Sequence, residues 1–132
     1  MYETVKEKQL ELRAKHLKNG VIDVRKLKQG TRIELVTANE VFELEVGTPE
    51  RCVVLLASNK RFEQRVKAVV LGGFDPDTRI FLSKLIGQGL RVALLQDYKP
   101  SIKTGPVLAA KVRGKDDSYE YQLWDASCQP SV

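Results

Sequence analysis

The sequence predicts a mainly β fold, with one N-terminal helix followed by a small antiparallel β-barrel or two-sheet sandwich. Three observations predict it. Residues 2–18 contain neither Pro nor Gly and are rich in Glu, Lys, Gln, Leu and Ala, all good helix formers. From Val21 onward the apolar period changes from that of a helix to that of a strand. Turn residues then recur at short intervals, as they do between the strands of sandwiches and barrels. The chain has 132 residues, 42% hydrophobic and 30% charged, an ordinary composition for one folded domain. It reads as a single domain over 1–132, with a helix at 1–20, a β body at 21–124 and a frayed tail at 125–132.

The helix ends at Asn19-Gly20, where Gly supplies the left-handed residue that closes a helix. Its apolar stripe of Tyr2, Leu10, Ala14 and Leu17 is interrupted by Lys6 and Arg13, while Val5 and Leu12 lie to one side. Such a helix covers a sheet edge or a partner rather than filling a deep core. Residues 21–24 form a short extended stretch, and Lys28-Gln29-Gly30 a turn. Residues 31–37 and 41–46 alternate, with Ile33, Leu35, Phe42, Leu44 and Val46 inward, and form a hairpin around Ala38-Asn39-Glu40. Residues 52–57 are apolar on both faces, which predicts a central strand. A strand at 66–71 stops at Gly72-Gly73. Residues 74–89 admit two readings. Asp75-Pro76 suits a helix start, but the β context favours a loop and then a strand with Ile80 and Leu82 inward. A strand at 90–95, a polar loop at 96–104 and a hairpin of 107–112 with 119–123 complete the body.

The net charge of +5 is unevenly placed. Residues 1–30 carry eight basic and four acidic side chains, and residues 31–132 fourteen and thirteen. The basic character therefore belongs to the N-terminal segment. No apolar run approaches the roughly 20 residues that span a bilayer, and the N-terminus lacks the apolar core of a signal peptide. The chain is expected in the cytoplasm with reduced thiols, Cys52 in the core and Cys128 exposed in the tail.

Enzyme chemistry finds little to stand on. The only His is His16, read as a surface residue of the helix, and no nucleophile motif surrounds it. No zinc motif, EF-hand or phosphate loop is present, so no metal or cofactor is expected. Gly87-Gln88-Gly89 leads into a strand and reads as a tight turn, and Asp75-Pro76-Asp77 and Asp116-Asp117 read as turn formers. Arg25, Lys26, Lys28 and Arg32, with Lys15 and Lys18 nearby, form a candidate anion or nucleic-acid contact. No aromatics are interleaved for base stacking. Glu3, Glu7 and Glu11 argue against an anionic membrane surface.

Two resemblances add to this. Arg61-Phe62-Glu63-Gln64-Arg65, with Gly89-Leu90-Arg91-Val92-Ala93-Leu94 further on, resembles the PilZ domain, a β-barrel that binds cyclic di-GMP. That resemblance implies Arg61 and Arg65 as nucleotide contacts. The chain departs from the family's [DN]xSxxG motif, because Ser83–Gly87 has a different spacing and neither Asp nor Asn stands two residues before Ser83. More of the chain, residues 25–113, is similar to small uncharacterised bacterial β-domain proteins. The similarity is carried by Leu27-Lys28-Gln29-Gly30-Thr31-Arg32, Phe42–Val46, Gly72-Gly73, Ile86–Val92 and Thr104–Val107. It implies a compact β domain and no site. The expected role is a non-catalytic binding module that partners itself or another protein, with nucleic-acid binding and cyclic-dinucleotide binding as alternatives.

Overall fold

The computed structural model of the chain describes residues 2–60, 62–97 and 99–124. It is mainly β and antiparallel, with one N-terminal helix, α1 (Tyr2–Asn19). Gly20 follows at φ +96, the left-handed conformation expected at the helix end. The strands are β1 (Val21–Ile22), β2 (Arg32–Val36), β3 (Val41–Thr48), β4 (Val53–Ser58), β5 (Phe62–Phe74) and β6 (Phe81–Ser83). Then come β7 (Ile86–Gly87), β8 (Arg91–Gln96), β9 (Ile102–Pro106), β10 (Ala109–Arg113) and β11 (Glu120–Trp124).

One sheet runs in the order β11-β10-β2-β3-β4-β5-β8-β9, with β6 also on β5, while β1 and β7 form a separate pair. Among the described residues this hydrogen-bonded path is not a closed barrel. It ends at β11 on one side and at β9 on the other. Residues 102–113 serve both ends of the sheet, because β9 pairs with β8 and β10 pairs with β2. Between them, Val107 N–H donates to Leu90 and Leu108 N–H to Val36.

Period-2 alternation sets the core. The inward side chains Ile33, Leu35, Phe42, Leu44, Val54, Leu56, Val70, Val92, Leu94 and Val112 belong to one buried cluster that draws on both halves of the sheet. Thr104 is one of the buried polar side chains, and its hydroxyl is fully used. It accepts from Val92 N–H at a bulge and donates to the Gly105 carbonyl.

Three expectations need correction. β5 does not stop at Gly72-Gly73 but runs on to Phe74. A Cβ at Gly72, whose φ is +150, would lie 2.3 Å from the Leu82 carbonyl oxygen, and one at Gly73 would lie 2.8 Å from that of Leu85. The two glycines permit close crossing of the 82–85 segment, so they serve packing rather than termination. The polar loop after β8 is shorter than expected, because β9 begins at Ile102. Finally, α1 docks through a different face. Leu12 packs on a second cluster of Leu82, Leu85 and Leu90, and Gln9 Nε2 donates to the Phe81 carbonyl at 3.0 Å. Leu10 and Leu17 remain 58% and 52% exposed. The weak apolar stripe did not decide the orientation. The docking surface offers an open carbonyl as well as apolar atoms, and Gln9 and Leu12 answer both.

Residues 74–89 follow the loop-then-strand reading. Asp75 accepts from Asp77 N–H and from the Thr78 hydroxyl, so the carboxylate builds the turn. β6 then buries Leu82, and Ile80 just before it is half-buried. The Gly87-Gln88-Gly89 segment is the tight turn between β7 and β8, closed by Leu90 N–H to the Gly87 carbonyl at 3.1 Å.

Candidate functional site

The four basic residues near the helix end are not left equally free. Arg25 grips Asp23 with two hydrogen bonds, Nε to Oδ1 at 2.9 Å and Nη2 to Oδ2 at 2.7 Å. This pairing, led by the Arg25 side-chain hydrogen bond, holds the Asp23 carboxyl below the usual carboxylate range. Arg32, on β2, donates to Asp117 at 2.9 Å. Lys26 and Lys28 are exposed. A phosphate approaching this segment therefore meets two ammonium groups with no ion pair among the described residues and two guanidinium groups already neutralised by carboxylates.

Of the two arginines in the PilZ-like motif, Arg61 lies outside the described residues. Arg65 projects from β5 across β4 to β3, where it meets Glu43 at 3.0 Å and Glu45 at 3.2 Å. Cys52 is a buried free thiol, as expected, and burial pushes it up from its ordinary pKa. Cys128 and the tail at 125–132 lie outside the described residues. Asp116 and Asp117 sit in a turn with φ of 61 and 56, and Asp117 also serves as an acceptor for Arg32.

Two features were not anticipated from the sequence. The first is the outer face of β4, β5 and β8. Val53, Val69 and Leu95 stand in one cross-strand row, since Val53 pairs with Val69 and Val69 with Leu95. Leu55 is 38%, Leu71 36%, Phe81 37% and Leu95 46% exposed. Leu71 and Phe81 line a shallow notch of about 370 Å³ between the start of β4 and β6, edged by Glu50, Arg51 and Lys84. The apolar character of both faces of 52–57 was visible in the sequence. What that signal omits is that no element of the described chain covers the outer one.

The second is His16. It is a buried residue, only 7% exposed, and not the surface residue expected. Its imidazole packs on Gly87, where a Cβ would lie 3.0 Å from Nδ1. His16 lines a groove of about 500 Å³ between α1 and the turns at 75–77 and 88–90. The signal that could have found it is the spacing of Gln9, Leu12 and His16, which share one helical face. Burial lowers the imidazole pKa, Lys15 adds to the shift, and Asp75 opposes it.

A buried Glu40 closes the other end of the sheet, accepting from the Ser58 hydroxyl, while Asn59 accepts from Val41 N–H at 2.9 Å. These contacts knit the β2–β3 and β4–β5 turns together. Among the described residues, no three His, Cys, Asp or Glu side chains are grouped to hold a metal ion. No helix there is long and apolar enough to cross a membrane. No family model matches the chain, no curated protein is similar to it, and no solved structure matches it.

Proposed function

We propose that this protein is a small non-catalytic binding module that associates with a second copy of itself through the outer face of β4, β5 and β8. The observation that carries this reading is the cluster of exposed Leu55, Leu71, Phe81 and Leu95 around the half-buried pair Val53 and Val69. A contiguous exposed apolar patch on a sheet face is the usual mark of a protein contact. The charges around it favour a second copy as the occupant. Lys67, Arg51 and Lys84 border the patch together with Glu45 and Glu50, so its rim carries both signs. An isologous contact needs that self-complementary mixture, because each patch meets its own copy turned around.

In this reading the sheet is a barrel-like roll, with residues 102–113 drawing its two ends together around the core. The nucleic-acid alternative is weaker, because Arg25 and Arg32 already hold carboxylates. Light scattering behind size exclusion tests the proposal. The expected result is a mass approaching twice 14.9 kDa as concentration rises. A mass that stays at one chain at high concentration overturns it.

A further inference from the structure

The end of the sheet at β11 carries two tyrosines on its core-facing side. Tyr121 stands opposite Val112, which is fully buried, so the two share the inward face. Yet Tyr121 is 45% exposed and Tyr119 41%, for β11 ends the sheet among the described residues. The two rings stack on each other, with 6.1 Å between centroids and 14° between planes. Tyr119 also lies against Gly114, where a Cβ would come within 2.5 Å of its ring.

The basic segment at 25–32 contains no aromatic of its own, and the fold brings this pair to it from the far end of the chain. Lys115 lies over the 28–30 turn, since a Cβ on Gly30 would fall 2.9 Å from its Cδ. Leu27 packs on the main core cluster and leaves Lys26 and Lys28 exposed to either side. Lys26, Lys28 and Lys115 form no ion pair with a described residue. The acidic groups of this corner are Asp116, Asp117 and Glu120. Asp117 is held by Arg32 and Arg113, and Glu120 by Arg113 and Lys111, which leaves Asp116 against three ammonium groups.

From this we infer that the β11 corner binds single-stranded nucleic acid, with unpaired bases stacked on Tyr119 and Tyr121 and backbone phosphates on Lys26, Lys28 and Lys115. Exposed rings take any base by its face, and ammonium groups beside them meet the phosphates that join successive bases. A duplex hides the faces that the rings would use. Arg25 and Arg32 take no part, because carboxylates already hold them. The corner is separate from the outer face of β4, β5 and β8, so either contact can fail without the other.

The test is fluorescence anisotropy of the full chain with a labelled oligothymidylate of about ten nucleotides, beside a duplex of equal length and heparin. The expected result is saturable binding of the single strand at low salt, about tenfold tighter than that of the duplex. Three phosphate contacts predict a slope of about −2 in log affinity against log salt, and Lys28→Gln should make it shallower by about 0.7. Tyr121→Leu should weaken binding about tenfold by removing one stack, while Tyr121→Phe should leave it unchanged. Thermal melts show that each variant keeps the fold. Absence of binding at low salt overturns the proposal. So does heparin or duplex bound as tightly as the single strand, or an affinity that Tyr121→Leu leaves unmoved, because either marks a purely ionic surface.

Discussion

The outer face of the sheet has two halves that solve the same problem differently. Over β2, β3, β10 and β11 most outward side chains are charged, and several of them pair with one another. Arg32 and Arg113 meet Asp117, Arg113 and Lys111 meet Glu120, and Arg65 reaches over to Glu43 and Glu45. Over β4, β5 and β8 the outward positions include Val53, Leu55, Val69, Leu71 and Leu95, with Lys67 beside Leu55. The strands, the pleat and the core behind them are continuous. The difference lies in which residues occupy the outward parity, and on the proposed reading one half is finished by water and the other by a second copy of the chain.

The deepest way to break both halves together is through the shared core. Leu56 is fully buried, and Leu56→Ala should cost about 2–5 kcal/mol by leaving a cavity. Denaturant unfolding measures it. A smaller loss should come from Gly72→Ala. It forces a Cβ toward the Leu82 carbonyl and should cost about 2 kcal/mol by prising β6, and with it Phe81, from the apolar half. Hydrogen exchange should then open first at β6 and α1, with β2 and β10 protected longer.

The comparison is sharpened by changes that spare the core. Leu95→Glu should abolish self-association while leaving stability within about 0.5 kcal/mol, since Leu95 is half exposed. Lys111→Glu on the charged half should leave association intact. At the α1 contact, the imidazole of His16 is held below its ordinary value of 6.5. Below about pH 6.5 the unfolded chain therefore binds a proton that the folded chain resists. Stability should fall as pH drops through that window, and His16→Gln should flatten the slope in a pH series of thermal melts. The smallest effect belongs to the charged half. Arg113→Ala removes partly exposed ion pairs and should cost about 0.5 kcal/mol or less, shrinking further in salt.

Much of this was legible in the chain because strand alternation is local. Ile33, Leu35, Phe42, Leu44 and Val46 declare their inward face by period 2 alone, and the structure buries all five. The turn at 75–78 was legible because Asp makes its own hydrogen bonds there. What was not legible depends on distant partners. Gly72-Gly73 looks like a strand end until the 82–85 segment is laid across it. The docking face of α1 depended on the Phe81 carbonyl and on Gly87, neither of which a helical wheel contains. The buried place of His16 follows from the same docking. The charged segment at 25–32 was visible as charge, but its neutralisation by Asp23 and Asp117 was not, since Asp117 joins Arg32 only through the pairing of β10 with β2.

The central claim is that the apolar half of the outer face meets a second copy of the chain. Backbone amide spectra recorded across a wide range of protein concentration test it most directly. The account predicts concentration-dependent shifts in β4, the 66–71 part of β5 and β8, with β2, β10 and β11 unmoved. Shifts confined to the charged half, or a spectrum that does not change with concentration, would contradict it.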